Sequence, residues 1–161
     1  MVTAAANFCL RFKAGMSPCW LTFLGNTGTG KSHCARKVWE KLSRKINWSK
    51  YDWIPSEIYW PKMVSDLRSG DAYERIGEMA RWPMLFLDDV GSERDTTGFA
   101  SDQLCALLGQ RARRWTIITS NKNLDQIGET DVRLADRIVR EPGNQMVELK
   151  TLSYALRRRV A

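Results

Sequence analysis

The sequence predicts an α/β fold of the P-loop type, in which a central parallel sheet of about five strands lies between two layers of helix. Three observations carry that expectation. Short apolar runs alternate with stretches of helical period from residue 21 to about residue 149, and such alternation implies right-handed crossovers and a parallel sheet. At least one run, residues 84–87, is apolar throughout rather than at every second position, as a strand buried on both faces is. Finally, GNTGTGKS at Gly25 to Ser32 fits G-x-x-x-x-G-K-[ST] at every fixed position. It follows an apolar run and opens a helical pattern, the strand, loop and helix context that a phosphate-cradling loop needs.

With 161 residues, 43% of them hydrophobic, the chain can bury one sizeable core. A lead-in of residues 1–20 and a single domain over 21–161 are therefore expected, with no repeat or interdomain linker. No apolar run approaches the roughly 20 residues of a membrane span, so a soluble, cytoplasmic protein with no membrane partner is expected. Cys9, Cys19, Cys34 and Cys105 are far apart and His33 stands alone, which suggests neither a zinc site nor a disulfide scaffold. A net charge of +7 and a pI near 9.5 favour an anionic partner, and nucleic acid is the usual one. The charge is uneven. Arg36, Lys37, Lys41, Arg44, Lys45 and Lys50 face only Glu40, Arg111, Arg113 and Arg114 form a second cluster, and Arg157 to Arg159 a third. Each is otherwise a solvated face.

Residues 1–20 carry no clear period and include Gly15, Ser17 and Pro18, so they read as irregular. Residues 21–25 form the first strand. Beyond the loop, Ala35, Val38, Trp39, Leu42 and Ile46 recur at helical spacing, burying one face and leaving the basic residues largely on the other. Residues 47–52 break the pattern, and a short strand is expected around 54–59. Pro61 suits the first turn of a helix, with Val64 and Leu67 inward and Gly70 as its stop. A further helix covers about 71–81, closed by Trp82 and Pro83. The apolar run at 84–87 ends in Asp88 and Asp89. A helical period returns over about 100–114 through Leu104, Leu107, Leu108 and Arg111. Residues 116–119 are β-branched throughout and read as a strand, followed by a helix over 131–140 and a last strand over 146–149.

Chemistry gathers where these strands end. The loop glycines let successive N–H groups point inward at phosphate oxygens, Lys31 offers a point charge to β- and γ-phosphates, and Ser32 offers a hydroxyl to Mg²⁺. Gly25, Asn26, Thr27, Gly28, Thr29, Gly30, Lys31 and Ser32 are thus the expected nucleotide-binding residues. Asp88 is placed to hold Mg²⁺ through its water shell, and Asp89 to orient or deprotonate an attacking water. Asn121, at the end of the next strand, is expected on the same rim, within reach of the γ-phosphate or the water. Arg133 and Arg137, four apart on one helix face, are candidates for an arginine aimed at a neighbouring subunit's γ-phosphate. The plainer alternative is an ion pair with Asp131, Asp136 or Glu141. Trp60, Tyr59 and Trp82 are candidate stacking residues for single-stranded DNA, or else core and cap residues.

Taken together, GNTGTGKSH with its His33, LDDVGSERDTTGFASDQL, TIITSN and VRLADRI resemble the AAA+ ATPases of the DnaC/DnaI helicase-loader type. They are also similar to the related IstB transposition ATPases and, more distantly, to DnaA. The resemblance spans about residues 20–155. It implies an AAA+ (ASCE) domain without a C-terminal helical lid, which binds ATP and Mg²⁺ and hydrolyses ATP to ADP and phosphate. It further implies binding of single-stranded DNA, placement of a replicative helicase on it, and self-association through ATP-bridged interfaces. On that pattern His33 joins the loop residues, Asp88 and Asp89 form the Walker B pair, Asn121 is sensor 1, and Arg133 matches the arginine finger best. Asp89 stands where many relatives carry Glu. The family's Ser-Tyr-Arg becomes Ser153, Tyr154 and Ala155, leaving Arg157 or a neighbour as sensor 2. Residues 1–20 are shorter than a loader's helicase-docking extension.

Rival readings share parts of this pattern. A superfamily 3 viral replication helicase has a similar loop, paired acids and an I-T-S-N strand end, but it uses a DNA-facing hairpin that is not evident between Asp89 and Asn121. A small-molecule kinase would need an arginine-rich lid. A non-hydrolysing adaptor would keep the loop and lose turnover.

Overall fold

The structure, a computed structural model, describes residues 1–51, 57–151 and 153. In chain order the elements are α1 (Val2–Lys13), β1 (Trp20–Gly25), α2 (Lys31–Ser43), β2 (Ile58–Tyr59), α3 (Trp60–Ser69) and α4 (Ala72–Arg81), then β3 (Met84–Val90), α5 (Phe99–Gln110), β4 (Trp115–Ser120), α6 (Leu124–Thr130), α7 (Val132–Arg140) and β5 (Gln145–Leu149). The five strands form one sheet in the order β2-β3-β4-β1-β5, and every neighbouring pair is parallel. The β1-to-β2 connection travels toward one edge and all later ones travel back. Right-handed crossovers therefore place α2 on one face and α3 to α7 on the other. Among the described residues, no helix is long and apolar enough to cross a membrane.

Burial follows from this layering. All six residues of β1 are buried, as expected of a strand covered on both faces. On the α2 side, Trp39 packs with Phe86 of β3, ring centroids 6.3 Å apart. The predicted helix over 71–81 begins where the Asp71 carboxylate accepts from the Glu74 N–H at 3.1 Å, a side-chain cap on an otherwise unpaired amide. Pro61 sits in the first turn of α3 as expected. Of the strand expected around 54–59, Ile58 and Tyr59 pair with β3, while 54–56 lie outside the described residues.

Four expectations are corrected. Residues 1–20 are not irregular, because α1 occupies most of them and buries Ala4, Ala5 and Phe8 in the core. Its apolar residues run around more than one face, so no single stripe marks the helix in the sequence. A second unforeseen helix, α6, is opened by a capping box in which Asn123 and Gln126 exchange side-chain and backbone hydrogen bonds of 2.8 and 3.0 Å. The spacing N-x-x-Q was its available signal. Trp60 and Trp82 are buried and cannot stack on a DNA base.

The fourth correction concerns Arg111, which is fully buried rather than part of a basic surface. Its guanidinium donates to Thr116 Oγ1 (3.0 Å), Met79 O (2.9 Å), Trp82 O (2.8 Å) and Trp115 O (2.6 Å). Burial pushes its pKa down to about 9, so at neutral pH it remains a cation, solvated by carbonyls and tying the end of α4 to the start of β4. Arg111→Met is expected to lower stability by about 3 kcal/mol or more, because several buried carbonyls lose their donor at once. The urea midpoint reads this, and an unshifted midpoint would refute it.

Candidate nucleotide site

The loop between β1 and α2 is shaped by close backbone approaches. Gly25 (φ 106°) donates its N–H to Lys122 O at 3.0 Å, and Asn26 N–H donates to Leu149 O at 3.2 Å. A Cβ on Gly25 would lie 2.2 Å from Leu149 O, so only glycine lets β5 close against the loop. Gly30 adopts a left-handed conformation (φ 89°) at the start of α2, whose first turn has no side-chain cap. That leaves helix N-terminal amides facing outward, together with the positive end of the helix dipole.

Lys31 curls back over this loop. Its ammonium donates to Gly25 O (2.8 Å) and Asn26 O (2.6 Å), and the residue is only 4% exposed. Desolvation lowers its pKa below the ordinary lysine value, opposed by the negative charges of Asp89 and Asp88. Thr29 Oγ1 donates to Asn26 O at 2.9 Å and so supports the loop.

The two acids are presented differently although they are adjacent. Asp88 is buried and accepts from Thr119 Oγ1 at 2.6 Å. After Leu87 the ladder with β4 slips, Leu87 pairing with Ile118 and then Val90 with Ser120, so β3 carries one extra residue. Asp89 is that residue. Its φ is +63°, a left-handed conformation that Asp tolerates better than most side chains, with a cost on the order of 1 kcal/mol. Thr119 Oγ1 also accepts the Asp89 N–H at 3.0 Å, and Ser120 Oγ donates to Val90 O at 2.6 Å. The bulge swings the Asp89 carboxylate to Asn121, whose Nδ2 donates to Asp89 Oδ1.

Strand order completes the site. β4 lies between β1 and β3, so Asn121 stands between the loop and the acids. A cleft of about 350 Å³ is lined there by Thr27, Gly28, Gly30, Lys31, Ser32, His33, Tyr59, Asp88, Asp89 and Asn121. Gly25, Asn26 and Thr29 build the loop's own hydrogen bonds behind it. Tyr59 is half exposed on this cleft, and its phenol pKa is raised by desolvation and by Asp89 and Asp88. That position suits contact with a bound nucleotide better than stacking on DNA. Thr119, which holds both acids, was not foreseen. It is one of three hydroxyl residues of β4, with Thr116 and Ser120, and the one that stands two residues before Asn121, on the same strand face.

Among the described residues, no group of three or more His, Cys, Asp or Glu side chains is placed to hold a metal ion by itself. One buried carboxylate beside a serine hydroxyl does fit Mg²⁺, which takes most of its oxygens from water and phosphate.

Arg133 does not line this cleft. Its guanidinium pairs with Asp131 (2.7 and 3.0 Å) and with Asp102 of α5 (2.7 Å) while remaining 61% exposed. Within one chain the ion-pair alternative is thus realised at Asp131, which also caps α7 by accepting the Arg133 N–H at 2.9 Å. Arg137 lies over Gly109 of α5. Of the first basic cluster, Arg36 is paired with Glu57, whereas Lys41, Arg44, Lys45 and Lys50 are exposed. Ser153 approaches Gly28; Tyr154, Ala155 and Arg157 to Arg159 lie outside the described residues.

No protein-family profile and no curated protein matches the chain. Solved structures do. The chain is similar to DnaI, with a TM-score of 0.67 and 22% identity over 89% of this chain and 82% of that one. It is similar to the DnaC helicase loader, with a TM-score of 0.64 and 20% identity over 90% and 89%. It also resembles AMPPCP-bound DnaA from Aquifex aeolicus, with a TM-score of 0.55 and 19% identity over 92% of this chain and 43% of that one. The fold is that of these helicase-loader and replication-initiation structures, as the sequence resemblance implied.

Proposed function

We propose that the chain is an AAA+ ATPase of replication, helicase-loader-like, which binds ATP and Mg²⁺ between neighbouring copies and couples turnover to single-stranded DNA and a replicative helicase. One observation carries this reading: loop, buried acid, bulged acid and amide converge on one cleft at the uncapped start of α2. Amides of Gly28 to Ser32 receive the phosphates, and Lys31 leaves its own loop carbonyls to bind β- and γ-oxygens. Ser32 and Asp88, the latter kept aligned by Thr119, would hold Mg²⁺, which when bound would supply positive charge against the phosphates. Asp89, steadied by Asn121, orients the attacking water. Arg133 of an adjoining copy neutralises the charge that develops on the γ-phosphate. Hydrolysis removes the contact that holds the junction, which shifts the assembly toward release of DNA or partner.

The DNA part of the reading is supported by the net charge of +7 and by the exposed Lys41, Arg44, Lys45 and Lys50 at the far end of α2. The helicase partner rests on the sequence pattern and on likeness of fold to a helicase loader. The test is Mg²⁺-dependent ATP turnover with and without oligo(dT), together with oligo(dT) affinity across a salt series. Saturable turnover is expected, along with DNA affinity that falls by about 300-fold between 50 and 200 mM salt if some six phosphates are contacted. Failure to bind ATP at millimolar concentration would overturn the ATPase, and a flat salt response would overturn the DNA groove.

A further inference from the structure

α1 has a second apolar face that the core does not use. Ala4, Ala5 and Phe8 point inward, but Val2, Ala6 and Leu10, spaced four apart, stay in solvent, Val2 76% and Leu10 63% exposed. α2 lies alongside and adds Cys34 and Val38. Between the two helices runs a groove of about 410 Å³ with Lys13, Lys37 and Lys41 on its rim. Among the described residues, no acidic side chain and no aromatic ring lines it. Lys37 reaches Glu40 at 3.4 Å across solvent; Lys13 and Lys41 make no ion pair among the described residues. The groove shares no lining residue with the nucleotide cleft.

We propose that this groove docks an amphipathic helix of another protein, one with an apolar stripe flanked by acidic side chains. An apolar floor walled by two helices takes side chains spaced i, i+4 along a third. The lysine rim, uncompensated within the groove, selects acidic flanks and rejects basic ones. A second copy of this chain is a poor occupant, because a two-fold axis sets like patches against each other and so lysine rim against lysine rim. Single-stranded nucleic acid is poorly served, since stacking needs rings that the groove lacks. A bilayer would meet a concave surface where a convex apolar face is wanted.

The test uses fluorescein-labelled synthetic peptides of about 18 residues, long enough for measurable helicity. One carries leucines at i, i+3, i+4 and i+7 with glutamate flanks, a twin carries lysine flanks, and a third is the acidic peptide with its stripe scrambled. Anisotropy against the full chain is expected to show saturable binding of the first peptide. Leu10→Glu and the pair Lys13→Glu with Lys37→Glu should each weaken it by about tenfold or more, the scale of one lost anchor. These side chains are exposed, and unchanged urea midpoints confirm that the variants fold. The proposal is overturned if the lysine or scrambled peptide binds as well, if the substitutions leave affinity unchanged, or if no peptide binds. It is equally overturned if the same substitutions abolish binding of oligo(dT) or of phosphatidylglycerol vesicles while the acidic peptide fails to bind.

Discussion

Arg133→Ala is expected to slow ATP turnover by about 10³- to 10⁵-fold, the range over which arginine fingers act, while leaving ATP affinity of the isolated chain almost unchanged. The second half follows from geometry, since Arg133 lies outside its own cleft and is tied to Asp131 and Asp102. Those carboxylates hold the guanidinium as a cation, its pKa raised by both pairs. Asp131 is correspondingly lowered, mainly by its hydrogen bond from Arg133. A depressed carboxylate pKa means that the tether is fully formed at neutral pH and is lost only as the pH falls through that lowered value. Under the proposed function, a neighbour's γ-phosphate would have to compete with these two carboxylates for the side chain. Mixing Arg133→Ala with Lys31→Ala should restore activity, because each variant supplies what the other lacks. Arg137→Ala is the comparator and should retain turnover. Rates for Arg133→Ala within about tenfold of the parent, a loss below about 1.4 kcal/mol, or no recovery on mixing, would remove the shared-site mechanism.

Lys31→Ala should weaken ATP binding by about 10²-fold or more, equivalent to losing one or two charge-assisted hydrogen bonds at 1.5–3 kcal/mol each, and should abolish turnover. The ammonium now satisfies the carbonyls of Gly25 and Asn26. The variant therefore loses about 1–2 kcal/mol of folding stability as those acceptors go unpaired, and it remains folded. Lys31→Arg is not expected to rescue, since a planar fork does not fit a pocket built for a compact point charge. pH adds an independent check. Desolvation lowers the Lys31 pKa in the chain alone, so ATP affinity is complete below that lowered value and declines above it, at a pH under the ordinary lysine pKa. A fluorescent ATP analogue measures all three. Binding by Lys31→Ala within about threefold of the parent, under 1 kcal/mol, would mean that the phosphates rest elsewhere.

Much of the site is legible in the linear sequence because its parts are local. A phosphate loop is eight consecutive residues whose glycine positions reflect backbone angles, and Gly25 and Gly30 indeed hold positive φ. Asp88, Asp89 and Asn121 are found because each ends a run of buried strand residues. Arg133 is singled out by its motif as a candidate finger; within the chain it lies outside the cleft and pairs with Asp131 and with Asp102 on α5, a partner 31 residues away and unforeseen. Thr119 is similar: its hydroxyl acquires meaning only when β4 is laid against β3, 31 residues from Asp88.

What residue order alone settles here is the alternation of elements, the loop and the identity of the acids, since periodicity and turn chemistry act within a few residues of each other. Which charged or aromatic side chains meet water was settled by packing. Arg111 reads as part of a basic cluster and is buried, Trp60 and Trp82 take the core alternative, and residues 1–20 read as irregular yet form a helix that leaves Leu10 exposed. The same holds for the bulge at Asp89 and for the seat of β4 between loop and acids. Burial and strand pairing are made between segments far apart in the chain, and no short window of sequence carries them.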